Sequence, residues 1–222
     1  MATFALIHGG GSTAWDWHLV SPILRQAGHE VVAVDLPIEN PNAGLDDYVR
    51  TVTDAVGDRR HVIVVGHSLG GFTAPLVADA LDAEGLVFFT AMIPRPGETF
   101  MQWWSATGHD QETIDDDPNI SFFNGVPEGL ADEARRRERD QQGDWMSHPW
   151  PADRLPAVAT MGIVCTDDQF FPAPFMRRLI ADRLGVAPVE IPGGHYAALT
   201  HPLELAVALD RFAGELAVKR IT

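Results

Sequence analysis

Apolar residues in this chain fall into two patterns. Apolar runs at 3–7, 31–34, 62–65, 85–91 and 159–165 predict strands buried on both faces, and 188–191 reads as a short sixth strand. Amphipathic stretches lie between them. Helical spacing covers 13–27, closed by Gly28, and 45–56 through Tyr48, Val49, Val52 and Val56. It recurs at 72–81, where Pro75 is tolerable only near the start, at 175–184, and at 202–216, which Pro202 opens. Strands that alternate with helices and are apolar throughout predict an α/β protein with a parallel sheet covered on both faces.

The alternation breaks over 98–156, where no strand pattern appears. Helical pieces are expected at 98–106 and 127–142, around the acidic run Asp115-Asp116-Asp117. Trp103, Trp104, Trp145 and Trp150 lie here with Phe122 and Phe123, four of the chain's six tryptophans. This segment reads as a small helical cap inserted after the fourth strand, dividing an α/β core into 1–97 and 157–222. The run Arg135-Arg136-Arg137, set among Glu133, Glu138 and Asp140, reads as a solvated helix face laced with ion pairs.

Composition narrows the classes. A chain of 222 residues fits one domain with a sizeable core. The net charge of -15, with Lys219 the only lysine, argues against nucleic acid and anionic membranes as partners. The single cysteine, Cys165, excludes an internal disulfide and a cysteine metal cluster, and its apolar run predicts a buried small hydrophobe. The first residues read as a strand rather than a signal peptide, and no apolar stretch approaches a membrane span, so a cytoplasmic location is expected.

The chemistry gathers where strands end. Gly66-His67-Ser68-Leu69-Gly70 is a G-x-S-x-G sequence between a strand and a helix, the context in which a strained turn lifts the serine above the sheet. Ser68 is the candidate nucleophile, and the Leu69 N–H, unpaired at the helix start, is a candidate oxyanion donor. A serine hydroxyl needs an adjacent base that is oriented by a third group. Of nine histidines, His195 follows the sixth strand in a Gly-Gly-His loop that lets the imidazole reach inward. His18, His29, His61, His109, His148 and His201 read as surface or helix-end residues, and His67 as pointing away within its turn. Asp167 and Asp168 both follow the fifth strand; Asp168 is the expected orienting acid because it sits on the turn that opens the next helix. The turn after the fourth strand offers Met92 and Ile93 and no acid. His8-Gly9-Gly10-Gly11 after the first strand can bring a backbone N–H close to substrate, and Gly10 is the expected second oxyanion donor.

The same glycines fit a dinucleotide-binding turn through Gly9, Gly11 and Ala14, with Asp35 as a ribose-binding acid. Trp15-Asp16-Trp17 would crowd the pyrophosphate, Lys219 lacks a tyrosine four residues before it, and that reading leaves Ser68, Asp168 and His195 unexplained. For substrate contact the candidates are Met92 and Trp104. Trp103 and Trp104 point about 100° apart on one helix, so only one can face a pocket, and Trp104 is favoured.

Leu6-Ile7-His8-Gly9 with Ala14-Trp15, Gly66 through Gly71, Ala91-Met92-Ile93-Pro94 and Gly194-His195 together resemble the α/β-hydrolase superfamily. The resemblance covers nearly the whole chain and is strongest to the compact branch of plant methyl-esterases and hydroxynitrile lyases, with their bacterial relatives. It implies a six-stranded sheet in the order 2-1-3-4-5-6, a Ser68–His195–Asp168 triad, and Gly10 and Leu69 as oxyanion donors. It departs from the lyases after the catalytic histidine, where they carry a lysine and this chain carries Tyr196. The expectation is a serine carboxylesterase for a small or medium apolar ester, with no cofactor and no metal. C–C hydrolysis, perhydrolysis or acyl transfer on the same residues is the alternative within the class. A ligand-binding, hydrolase-like receptor or accessory protein is the alternative outside it. Oligomeric state is not legible in the sequence.

Overall fold

The computed structural model describes residues 1–109 and 114–220. Six strands, β1 (Thr3–Ile7), β2 (Glu30–Ala33), β3 (Val62–His67), β4 (Gly85–Phe89), β5 (Ala159–Cys165) and β6 (Val189–Ile191), form one sheet. Their order is β2-β1-β3-β4-β5-β6 and every pairing is parallel. The order and the parallel pairing match the expectation. Each apolar run divides its side chains between two faces, as the two-residue period of a strand requires. Ala5, Ile7, Val62, Val64, Leu86 and Phe88 enter one apolar layer, whereas Phe4, Leu6, Ile63, Val65, Val87 and Phe89 enter the other.

Helices cover both layers. On the first face lie α2 (Leu45–Val56), α3 (Ala74–Ala80) and, towards β5, α7 (Ala173–Leu184). On the second lie α1 (Val20–Gln26) and α9 (Pro202–Lys219). Two predicted helices are shorter than their amphipathic patterns. The stretch 13–27 splits into a 3-10 turn, Ala14–Trp17, and α1; the stretch 72–81 follows a 3-10 turn at Ser68–Gly71 and becomes α-helical only at Ala74, ending at Ala80. Pro22 and Pro75 account for both breaks. Each lacks an N–H and would clash with the carbonyl four residues before it, so each sits in the first turn of a new helix.

Between β4 and β5 the chain forms α4 (Phe100–Thr107), α5 (Pro118–Ser121), α6 (Glu128–Arg136) and a 3-10 turn at Asp144–Ser147. No strand occurs among the described residues of this segment. The helix expected over 127–142 ends at Arg136 because the core captures the chain beyond it. The Arg139 N–H bonds the Gly11 carbonyl, the Arg139 guanidinium bonds the Ser12 and Leu36 carbonyls, and the Gln142 N–H bonds the Ile38 carbonyl. On α6 itself, Arg135 pairs with Asp132, and Arg136 and Arg137 pair with Glu133. These exposed pairs contribute little stability. The buried Glu98–Arg183 pair joins the start of the segment to α7, and the Arg183 guanidinium also bonds the Ile93 carbonyl.

The segment's aromatics do not form a core of their own. Trp103, Trp104, Trp145 and Trp150 join the layer containing Phe72, Met92 and Phe171, and the Trp150 Nε1–H donates to the Phe72 carbonyl at 2.9 Å. Phe123 and two alanines of α6 pack instead on Tyr196 and Leu199, the latter on α8 (Ala197–Thr200). Among the described residues no helix is long and apolar enough to cross a membrane.

Candidate active site

The end of β3 is built for close approach. Ser68 follows the strand with φ of +50°, a strained backbone for a residue with a Cβ. A Cβ on Gly66 would sit 2.7 Å from the Ala74 Cβ, and one on Gly70 would sit 2.6 Å from the His8 carbonyl oxygen. Only glycine lets the strand, the turn and the β1 loop meet at these distances. The turn is then fastened to the next strand's exit by the Met92 N–H, which donates to the Ser68 carbonyl at 3.0 Å.

Asp168 and His195 meet at the same sheet edge. The His195 Nδ1–H donates to Asp168 Oδ2 at 2.9 Å, and both side chains are nearly sealed from solvent. The second carboxylate oxygen accepts the N–H groups of Phe170 and Phe171 at 2.8 and 2.9 Å. These bonds fix the carboxylate's orientation, because the turn that opens α7 aims both N–H groups at Oδ1. The imidazole's other nitrogen, Nε2, is buried and has no hydrogen-bond partner among the described residues. Asp167 does a different job: its carboxylate accepts the Gly193 N–H at 3.0 Å and its own N–H bonds the Gly193 carbonyl. It therefore tethers the loop that carries His195.

The loop after β1 lies against the serine turn. A Cβ on Gly9 would be 3.1 Å from the Ser68 Cβ, and one on Gly10 would be 3.0 Å from Leu69 Cδ2. Among the described residues the N–H groups of Gly10 and Leu69 donate no hydrogen bond. His8 holds this loop from behind. Its Nδ1–H donates to the Gly9 carbonyl, while Nε2 accepts from the Leu36 N–H and from Arg139. Burial, with Arg139 beside it, lowers the His8 pKa to about 4 and keeps it neutral. Asp35, the acid of the dinucleotide reading, accepts the Ala14 N–H at 2.7 Å.

Ser68, Asp168, His195, Gly10 and Leu69 thus all stand at the C-terminal edge of the sheet, where open α/β sheets bind ligands, with Asp168 and His195 bonded to each other and no hydrogen bond between Ser68 Oγ and His195 Nε2. Trp104 approaches this edge only through other rings. It packs on Phe170 at 6.0 Å, and Phe170 lies 5.0 Å from His195. Phe122 stacks on Phe170 at 4.1 Å and also faces His195, so the insertion supplies part of an aromatic wall over the imidazole. Trp103 is fully buried against Phe171 and Phe175, and its Nε1–H donates to the Ile93 carbonyl. Met92 is buried, and it is its backbone that meets the serine turn.

Several residues were not legible as part of the site. His67, expected only to point away within its turn, donates its Nε2–H to the His195 carbonyl at 3.0 Å. Burial first, and then the charge His195 would carry, holds His67 well below the ordinary histidine range, so it serves as a neutral brace. Thr90, just past β4, donates its hydroxyl to Asp168 Oδ2 at 2.6 Å. Arg139 supports the β1 loop from the insertion. Its signal lay hidden in an arginine-rich stretch whose other members are solvated. Two histidines read as surface or helix-end residues, His29 and His109, do follow helix ends but are buried: His29 bridges the Ala2 N–H and Asp210, and His109 bonds the Phe170 carbonyl.

A model of the alpha/beta hydrolase family matches residues 4–209. Salicylic acid-binding protein 2 of Nicotiana tabacum is 27% identical, over 95% of this chain and 96% of its own. Methylesterase 7 of Arabidopsis thaliana is 27% identical, over 96% of this chain and 97% of its own. Among solved structures, the crystal structure of polyneuridine aldehyde esterase superposes with a TM-score of 0.82 at 21% identity, over 96% of this chain and 99% of that one.

Proposed function

Since the chain belongs to the alpha/beta hydrolase family, we propose that it is a serine carboxylesterase acting on a small or medium apolar ester. Ser68 Oγ attacks the ester carbonyl while His195 Nε2 takes its proton. Asp168 holds the imidazole in the tautomer that leaves Nε2 free to accept and stabilises the imidazolium that forms. The N–H groups of Gly10 and Leu69 receive the charge on the carbonyl oxygen. The tetrahedral intermediate collapses, His195 returns the proton to the leaving alcohol, and the acyl group stays on Ser68. Water, deprotonated by His195, then attacks the acyl-enzyme and releases the acid, restoring Ser68.

The observation that carries the reading is the Asp168–His195 bond, with Nε2 buried and unpartnered at the edge where Ser68 sits on a strained turn. In this reading the insertion over 98–156 is a cap. Its aromatic rings exclude water and face the acyl or alcohol group, with Trp104 and Met92 as the proposed substrate contacts. The substrate is a small molecule, and no cofactor takes part.

A fluorophosphonate probe tests the nucleophile. It is expected to label Ser68, and Ser68→Ala is expected to abolish both labelling and p-nitrophenyl acetate hydrolysis. Labelling that survives the substitution refutes the assignment. A panel of esters, thioesters and lactones then identifies the chemistry. The name of the tobacco relative favours one second reading, a ligand-binding protein. Tight ligand binding with negligible turnover across the panel would select it.

A further inference from the structure

Thr90 combines full burial with a strained backbone at the exit of a central strand. It lies just beyond β4, fully buried, with φ of +35°. A β-branched residue is strained there. Its N–H still bonds the Ile163 carbonyl of β5 at 2.9 Å, so the strand pairing persists through the strained residue. The effect of the twist is to aim the side chain across the sheet edge. There Oγ1 donates to Asp168 Oδ2 at 2.6 Å, a short bond to a carboxylate.

Asp168 has room for about four donors, and all four places are filled. The Phe170 and Phe171 N–H groups hold Oδ1, while His195 and Thr90 share Oδ2. Thr90 thus touches the very oxygen that orients the imidazole, and it comes from a different strand from the one that carries the acid. Other titratable groups face this pair. His67 lies at the end of β3, held neutral by burial; Cys165 and Asp167 lie at the end of β5, and burial also pushes the Cys165 thiol up. Of these, none donates to Oδ2.

Resting on the triad reading above, we infer that Thr90 is a positioning residue: its hydroxyl fixes the Asp168 carboxylate towards His195 and draws off part of its negative charge. The position after the fourth strand, where no acid stands, supplies a donor to the acid on the fifth. Without the donor, the carboxylate rotates more freely and the imidazole faces a more basic oxygen. The imidazolium is then held more tightly and gives up its proton less readily.

The test compares Thr90→Val, which keeps the shape and removes the hydroxyl, with Thr90→Ser, which keeps the hydroxyl. With p-nitrophenyl acetate, Thr90→Val is expected to lower kcat about 10- to 100-fold and leave KM within about twofold. The acid limb of its kcat/KM–pH profile should move to higher pH. Thr90→Ser should stay within about threefold of the parent, with an unmoved limb. A proton NMR arm in the Ser68→Ala background follows the His195 Nδ1 proton, which should shift with Thr90→Val and not with Thr90→Ser. That arm reads the Thr90–Asp168–His195 coupling whether or not the protein turns over esters, so a failed triad assignment and a failed positioning role are distinguishable. An unmoved acid limb and unmoved proton in Thr90→Val overturn the inference, even with a lower melting temperature. Equal impairment of Thr90→Ser and Thr90→Val overturns it too. Should Thr90→Val not fold, Thr90→Cys, a weak donor of similar size, is expected to show the same losses; failure of both to fold would make Thr90 a folding residue and overturn the role.

Discussion

Replacing Asp168 by Asn removes one charge and changes almost no volume, and the surrounding donors dictate its consequence. The asparagine has one acceptor oxygen and one amide nitrogen carrying two protons. Two backbone N–H groups, from Phe170 and Phe171, point at the Oδ1 site from 2.8 and 2.9 Å. An amide nitrogen there would set donors against donors, so the oxygen goes to that side and the NH2 turns to His195 and Thr90. The imidazole can meet an NH2 only by accepting at Nδ1, which moves its own proton to Nε2. A protonated Nε2 cannot take the proton of Ser68. In a well-studied serine protease the equivalent wrong tautomer costs about 10⁴ in kcat, roughly 5 kcal/mol of transition-state stabilisation. The Asp168→Asn variant is therefore expected to lose about 10⁴ in kcat on p-nitrophenyl acetate while remaining folded by circular dichroism. Asp167 supplies the internal control. Its Oδ2 accepts the Gly193 N–H and the Thr166 hydroxyl, and an asparagine oxygen can accept both. Asp167→Asn is expected to stay within about tenfold of the parent. A dead Asp167→Asn beside an active Asp168→Asn would refute the tautomer argument and the choice of acid together.

Three further outcomes follow from burial. Trp103→Ala removes a fully buried ring that donates to the Ile93 carbonyl and is expected to cost about 3–5 kcal/mol, a melting temperature lower by roughly 10 °C, with equal losses for every ester. Trp104→Ala should instead change the relative kcat/KM across ester chain lengths, and an unchanged profile would remove Trp104 from the pocket. Burial pushes the Asp16 carboxyl up to about 7, against about 4 in an unfolded chain. The folded state therefore holds a proton that the unfolded state releases, and this contribution is complete below about pH 4 and is lost as pH rises through 7. Asp16→Asn, a permanently neutral mimic, should gain stability relative to the parent across that range, by up to about 4 kcal/mol at pH 8 compared with pH 4 in urea unfolding. A difference that does not vary with pH would show that Asp16 is ionised in the fold.

The elements of the sheet were legible because an apolar run is a local signal, and parallel strands buried on both faces leave no other use for it. Residues 159–165 and 45–56 match β5 and α2 at both ends. Helix starts were less legible where Pro22 and Pro75 lie inside an amphipathic pattern, since the periodicity continues through a break in the hydrogen-bond ladder. The insertion was legible as helical and aromatic but not in its packing. Whether Trp103 and Trp145 form a separate core or join the main one depends on contacts with Phe72 and Phe171 that no local spacing encodes.

The proposed site divides along the same line. Ser68 and His195 stand in motifs whose spacing is itself the signal, whereas Thr90 and His67 act across distances of 78 and 128 residues in the chain. Strand register creates those contacts. Pairing Phe89 with Ile163 sets the C-terminal ends of β4 and β5 side by side, two residues out of step, so that a residue just past one strand can reach an acid past the other. Nothing in the type or spacing of a threonine announces this. Backbone strain does, once coordinates exist. Among the described residues four non-glycine positions have positive φ. His61 and Asp82 lie at the entrances of β3 and β4, where turns feed the strands. Ser68 and Thr90 lie at the exits of the same two strands. Strain at an entrance only redirects the chain, but strain at an exit also re-aims a hydroxyl at the edge where ligands bind. On that ground Thr90 belongs with Ser68 rather than with the turns.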